Sequence, residues 1–311
     1  LQAVSLAALP LQSVSAAESA LEIIDTHQHL WDTRTQQLPW LAGAPEVLRR
    51  NYLPADYAVA TEGLPVRALY MEVDVAEANL NEEAEALRRL CASKSSQTFA
   101  AILGGRPSSE HFEDYLKKHS ESSFFKGLRR VLHTPETPRG LCLEKDFVRG
   151  VRALGKQGLT FDLCMRPGEL NDAAALAAEC PDTTLVLDHC GNADTKAFLK
   201  SPPSEPAHRA DDWQRAIDRL ALKRNVHCKI SGVVESMPGG WTSEQLSPVV
   251  NHCLDAFGPD RVVFGSNWPV CLLGGSLRNW VKALGEIVAA RPPVERAKLW
   301  AGNARRIYKL S

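Results

Sequence analysis

The chain has 311 residues and a mass of 34.1 kDa, with 36 Lys and Arg against 37 Asp and Glu, a formal net charge of -1 and a pI near 6.8. That balance excludes a binder of nucleic acid or anionic membranes that works by bulk charge. A hydrophobic content of 44% with 23% charged residues excludes a disordered chain.

Residues 1–17, LQAVSLAALPLQSVSAA, are uncharged, rich in Ala and Leu, and end in small side chains. This is the pattern of the apolar region and cleavage zone of an export signal. Residues 1–20 are therefore set apart as a signal remnant or N-terminal segment, and 21–311 read as a single domain. An export signal predicts a periplasmic or secreted protein; a plain N-terminal helix there leaves the chain cytoplasmic. Beyond this segment no run reaches the roughly 18 apolar residues of a membrane span.

From residue 22 onward short apolar or β-branched runs alternate with helical stretches. The runs are EIIDTH (22–27), VRALYMEV (66–73), TFAAIL (98–103), FKGLRRVL (125–132), LTFDLCM (159–165), TTLVLDH (183–189), NVHCKIS (225–231) and RVVFGS (261–266). Segments such as 79–93, 143–158, 169–180 and 211–222 space their apolar residues three or four apart, so one face of each can pack on a sheet. Asn79 and Asp211 read as N-caps and Gly158 as a stop. Strand–helix alternation predicts a parallel sheet covered by helices, and eight units predict a (β/α)8 TIM barrel, regular or distorted. The open doubly wound sheet fits less well, because DTHQHLWD and not a Gly-rich phosphate turn follows the first strand. Two stretches are irregular. KSPPSEPAH (200–208) predicts a long loop, a lid or a plain surface turn. Residues 31–56 carry Trp31, Trp40 and Tyr52, which either line a pocket or pack over the barrel mouth. The eight cysteines form no C-x-x-C pair and read as small buried hydrophobes.

In such a barrel the chemistry sits where the strands end. The predicted ends carry His27, Gln28 and His29; Glu72 and Asp74; Arg106; Arg129 and His133; Asp162 and Arg166; Asp188 and His189; Lys229 and Ser231; and Ser266, Asn267 and Trp268. Alternation puts His27 and His29 on one face of a strand, with Cα atoms roughly 6–7 Å apart. Two imidazoles so placed can share a metal ion or grip one substrate carbonyl. With His189 they make a three-histidine set of the kind that holds a catalytic zinc. Arg106, Arg129 and Arg166 offer planar forks for carboxylates or hydroxyls. Glu72 and Asp162 can orient a cation or act as acid or base, and Lys229 and Ser231 can donate to an oxyanion. No G-x-S-x-G element is present, so a serine hydrolase lacks support.

IIDTHQHLWD, LVLDHCG, NVHCKISG, RVVFGSNWPVC and the closing AGNARRIYKL, in that order and spacing, resemble the amidohydrolase-related family of the amidohydrolase superfamily, in its sugar-lactone hydrolase branch. The resemblance spans residues 22–310. It implies a distorted barrel and hydrolysis of a small lactone, either an aldonolactone or a pyrone lactone. It also implies that His27, His29 and His189 lie in the active site, that Arg129 contacts substrate, and that one divalent ion such as zinc is either bound or dispensable. Arg166, Lys229 and Trp31 join Arg129 as expected substrate contacts. One position departs from the pattern. Lactonases of this branch carry Asp where this chain has Asn267, and an amide cannot activate water at neutral pH. His189 or Glu72 is then the expected base, and Asn267→Asp is expected to raise hydrolysis. Two further readings stay open: a lactone isomerase, in which a substrate hydroxyl replaces water, and an inactive sugar-acid binding protein.

Overall fold

The computed structural model describes residues 22–237 and 239–310, so the export-signal reading of residues 1–17 lies outside the described residues. All eight apolar runs form strands: β1 (Ile23–Gln28), β2 (Val66–Met71), β3 (Thr98–Gly104), β4 (Phe125–Val131), β5 (Thr160–Cys164), β6 (Leu185–Leu187), β7 (Val226–Ile230) and β8 (Val262–Phe264). They lie in chain order and each pairs in parallel with the next. This is the eight-stranded barrel with intervening helices that strand–helix alternation predicts.

The barrel closes between β8 and β1 by a different means. A lone bridge joins Gln28 to Trp268, and His29 N–H donates to Trp268 O at 2.7 Å. Side chains stitch the remainder. Asp25 accepts from Ser266 N (2.8 Å), Ser266 Oγ (2.5 Å), Tyr57 Oη (2.8 Å) and His27 N (3.0 Å), and Thr26 Oγ1 donates to Phe264 O at 2.7 Å. A buried carboxylate with four donors replaces the missing ladder at this seam, which is the distortion.

Strand alternation divides the core into two layers. Ile23, Tyr70, Leu103, Leu128, Phe161, Leu187, Ile230 and Phe264 face outward onto the helices. Ile24, Leu69, Met71, Ala100, Ile102, Val186 and Val263 face inward and meet Ala304, Ile307 and Tyr308 of the C-terminal helical segment. That segment plugs one end of the barrel and leaves the other for the site. The helices Leu80–Ala92, Lys145–Lys156, Leu170–Glu179 and Ala210–Ala221 match the four amphipathic stretches, and Gly158 ends the second with φ +67°. Two caps differ from expectation. Asn79 holds the N-cap position, but its amide turns to Glu82 Oε2 at 2.5 Å and caps nothing. Arg209 is the N-cap of Ala210–Ala221, which puts Asp211 in the first turn, where it favours the helix dipole instead. All eight cysteines are free and all but Cys91 are buried. No described helix is long and apolar enough to cross a membrane.

Candidate active site

The open end of the barrel holds a cavity of about 350 Å³, a suitable volume for a small ligand. His29, Trp31, Asp74, Arg129, His133, His189, Asn192, Glu235 and Asn267 contribute its polar and aromatic wall. Trp31 and Trp40 meet edge to face at 5.4 Å, and their indole N–H groups donate to Arg50 O (2.6 Å) and Val73 O (2.7 Å). Both rings are thus fixed against the cavity. Tyr52 packs behind Trp31 at 5.1 Å and does not line it. The Pro-rich stretch 200–208 contributes no residue to the wall and is no lid here; Asp194 ties it down by accepting from Ala207 N at 2.8 Å.

The three expected histidines converge. His27 and His29 bring their Nε2 atoms to 3.1 Å, and the rings of His27 and His189 lie 4.3 Å apart. Burial, ahead of nearby Arg129, holds His29 well below the ordinary imidazole range, and burial does the same for His27. His189 is pushed down to about 3 and His133 to about 4, in both cases chiefly by burial. All four imidazoles are therefore neutral near pH 7. His29 Nδ1–H donates to Met71 O (2.9 Å), which leaves its Nε2 lone pair free. His27 has two complementary tautomers. In one, Nε2–H donates to His29 Nε2 while Nδ1 accepts from Lys229 Nζ (3.2 Å). In the other, Nδ1–H faces Asp188 Oδ1 (3.4 Å) and two Nε2 lone pairs converge. Two lone pairs that close repel unless a cation lies between them, so the second tautomer fits a divalent ion. His27, Asp188 and His189 also place donor atoms within 4.8 Å of one another. The residues present are compatible with a metal; without one, Arg129 Nη1, 3.2 Å from His27 Nε2, can donate to the lone pair of the second tautomer.

His189 reaches the cavity by a route that strand alternation does not describe. β6 ends at Leu187, and His189, Cys190, Gly191 and Asn192 all take left-handed φ values between 50° and 71°. Three non-glycine residues in that region store strain of about 1–3 kcal/mol each. The turn is held by His189 Nδ1 on Ser231 Oγ (3.0 Å) and by Asn192 Nδ2 on Met165 O (2.7 Å). Gly232, at φ +67°, lies across it: a Cβ there would stand 2.3 Å from His189 Cβ.

Arg129 is buried but lines the wall. Its Nε donates to Glu72 Oε1 (2.6 Å), its Nη2 to Glu72 O (2.7 Å), and its Nη1 lies 3.2 Å from His27 Nε2. Other expected residues lie elsewhere. Glu72 is outside the wall; its second oxygen accepts from Asp74 N (2.7 Å), and its place beside the guanidinium makes it the residue that positions Arg129. Lys229 lies below the wall, fully buried, 2.6 Å from Asp162 Oδ2 and 3.0 Å from Asp188 Oδ1. Tyr308 Oη joins this layer on Asp162 at 3.2 Å. Arg166 is also outside the wall: it donates to Glu169 Oε2 (2.8 Å), Thr137 O (2.8 Å) and Thr134 O. Residue type alone does not show which arginines face inward, and neither Lys229 nor Arg166 reaches the cavity wall.

Sequence reading missed Glu235. It lies in the irregular stretch beyond β7, where no periodicity marks it. Its Oε1 accepts from Asn267 Nδ2 (2.8 Å) and its Oε2 from Val234 N (3.1 Å), and burial pushes its carboxyl up to about 7. Asn267, itself left-handed at φ 55°, is therefore a donor to a neighbouring carboxylate.

The amidohydrolase family model matches residues 24–310. An L-fucono-1,5-lactonase from Burkholderia multivorans is 30% identical over 296 residues, covering 92% of this chain and 96% of that protein. An L-rhamnono-gamma-lactonase from Scheffersomyces stipitis is 25% identical over 238 residues, 70% of this chain and 69% of that protein. A crystal structure of an amidohydrolase from Burkholderia multivorans with bound zinc superposes with a TM-score of 0.82 at 27% identity, covering 93% of this chain and 100% of that one. Barrel, converging histidines and a match over nearly the whole described chain agree: this protein belongs to the amidohydrolase family.

Proposed function

We propose that the protein hydrolyses sugar-acid lactones. The observation that carries this reading is the cavity itself, where neutral imidazoles and one buried guanidinium share a wall with a carboxylate poised near neutrality. The likeness to two lactonases supports it over ring isomerisation or ligand storage.

A five- or six-carbon lactone lies with its ring against Trp31 and Trp40, whose apolar faces suit the C–H face of a sugar. Its carbonyl oxygen points at Arg129, where Nη1 strengthens its hydrogen bond as negative charge develops on that oxygen. Glu72 keeps the guanidinium aimed and balances its charge. Asp74 and Asn192 serve ring hydroxyls. His29 and His189, both neutral, hold the water beside the carbonyl carbon. A divalent ion such as zinc, held by His27 and His29 with Asp188 or His189 alongside, would add Lewis-acid polarisation of the carbonyl when bound.

The test is acid release at pH 7–8 from a panel of aldonolactones, including L-fucono-1,5-lactone, L-rhamnono-gamma-lactone and a pyrone dicarboxylate, with chelator and with added zinc. Hydrolysis of at least one aldonolactone well above the buffer rate is expected. NMR of the same mixtures detects ring interconversion without acid, the outcome that would replace hydrolysis by isomerisation. Melting shifts by aldonates without any turnover would instead mark a binding protein.

A further inference from the structure

We propose that Glu235, on the loop beyond β7, is the general base that takes a proton from the hydrolytic water. The inference rests on the lactonase reading and names the group within it that the sequence leaves unidentified.

The other buried carboxylates near the site are engaged or lie outside the cavity wall, as Glu83 does, held by Tyr70 Oη and Val73 N. Glu72 is bound to Arg129, and Asp162 and Asp188 to Lys229. Asp25 is used up at the barrel seam, where it has four donors. In the cavity wall two carboxylates remain, Asp74 and Glu235. Asp74 faces Arg106 Nη2 at 3.9 Å. Glu235 has only neutral donors, the Asn267 amide and the Val234 N–H, and among the described residues it forms no ion pair. Neutral donors lower a carboxylate's basicity less than a paired guanidinium does, and at Glu235 burial outweighs them.

Its placement is equally specific. The loop leaves β7 across the face of His189, which only Gly232 allows, and Gly274 makes room for it: a Cβ there would stand 1.8 Å from Val234 O. Asn267, which fixes the carboxylate, follows β8 where Gly265 lies against His27; a Cβ at 265 would be 2.9 Å from His27 Cβ. The segments that carry the two anchors of Glu235 therefore pass beside His189 and His27 at Gly232 and Gly265. An Asp at 267 would face this carboxylate with like charge, so the amide there is the partner that a carboxylate at 235 needs.

The step balances. Glu235 removes one proton from water as the water oxygen bonds to the lactone carbonyl carbon. The tetrahedral intermediate collapses with cleavage of the ring C–O bond. The leaving ring oxygen takes the proton back from Glu235, giving the open hydroxy acid and the original carboxylate.

The groups around Glu235 are His29 from β1, Asp74 beyond β2, Arg129 and His133 from and beyond β4, His189 and Cys190 beyond β6, and Cys271 beyond β8. Burial holds the imidazoles below their ordinary range, His29 well below it, and Arg129 stays charged. In the wall, Asp74, raised to about 6 mainly by burial, and Glu235 are the groups placed to titrate between pH 5 and 8. Activity should rise with pH through about 7, as the base loses its proton.

The experiment compares wild type, Glu235→Gln, Glu235→Ala and Asp74→Asn on whichever lactone the panel identifies. In Glu235→Gln, kcat should fall about 10²–10⁴-fold with KM within about threefold, and the acid limb should vanish. The limb should persist in Asp74→Asn, and formate should restore kcat to Glu235→Ala while leaving wild type unchanged. Wild-type rate and an intact limb in Glu235→Gln, or loss of the limb in Asp74→Asn alone, overturn the assignment and leave the lactonase reading standing. If wild type hydrolyses no lactone, both fall together.

Discussion

The barrel interior carries charge at two depths, and the two treat it in opposite ways. In the lower layer Lys229 sits between Asp162 and Asp188, all three with fully buried side chains and opposite charges 2.6–3.0 Å apart. Burial opposes the charge on Asp188, yet Lys229 and then His27 hold its carboxyl well below the usual range. At the rim Glu235 is half-buried and has only neutral partners, and burial brings its carboxyl to about 7. Compensation keeps Asp188 ionised, whereas burial, ahead of the opposing Lys229, raises Asp162 to about 6. Withholding compensation keeps the rim reactive.

The sharpest way to break this comparison is Lys229→Met. It removes the lower layer's cation while keeping its bulk, and leaves Asp162 without a cation and Asp188 with only Arg129, at 3.5 Å. A loss of about 3–5 kcal/mol in unfolding free energy is expected by urea titration. A loss below about 1 kcal/mol would mean that the layer is not held by charge pairing.

Arg129 belongs to both layers, paired like the lower one and exposed to ligand like the rim. Although burial works against its charge, Glu72 and then Asp188 keep its guanidinium more firmly protonated than usual. Arg129→Lys preserves the charge but loses the fork that reaches Glu72 Oε1, Glu72 O and His27 at once. A fall in kcat/KM of about 10²–10³ is expected in steady-state assays, as for loss of an oxyanion donor. A change below about fivefold would remove Arg129 from the reacting carbonyl.

Asn267→Asp tests the rim directly. It replaces an amide 2.8 Å from Glu235 with a second carboxylate, and two carboxylates that close share one proton. The shared proton leaves only at higher pH, so the acid limb of kcat should move upward. Activity at pH 7 is expected to fall about fivefold for the first pH unit the limb moves and about tenfold for each further one, with recovery near pH 9. Sequence alone predicts the opposite, a gain at pH 7, and such a gain would transfer the base to position 267.

That reversal shows what the sequence could convey. Strands were legible as short apolar or β-branched runs, as in Ile23–Gln28, where burial on both faces leaves no alternation, and amphipathic helices by the period of 3.6, as in Lys145–Lys156. The histidines were legible because the period of 2 sends His27 and His29 toward each other. Depth along the barrel axis has no local signature. Lys229 at the end of β7 reads the same whether it reaches a ligand or two aspartates. Glu235 has no periodic context, and its role depends on an amide 32 residues away.

Arg166 gives the mildest test, and its value lies in how little should change. Its guanidinium buttresses the turn at Thr134 and Thr137 and pairs with Glu169, and of these only Thr134 borders the cavity. Removing it leaves two carbonyls without a charged donor, which costs about 1–2 kcal/mol of stability if water replaces it poorly. The wall loses no donor, so Arg166→Ala should leave kcat within about twofold and raise KM at most about threefold, through slackening near Thr134. Were Arg166 instead to swing inward and clamp a substrate carboxylate, KM would rise by about 10-fold or more for carboxylated lactones and not for neutral ones, since a lost charge-assisted bond costs about 1.5–3 kcal/mol. Comparing the two lactone classes on this one variant therefore decides whether the rim ends at Arg129 or extends to the shoulder beyond it.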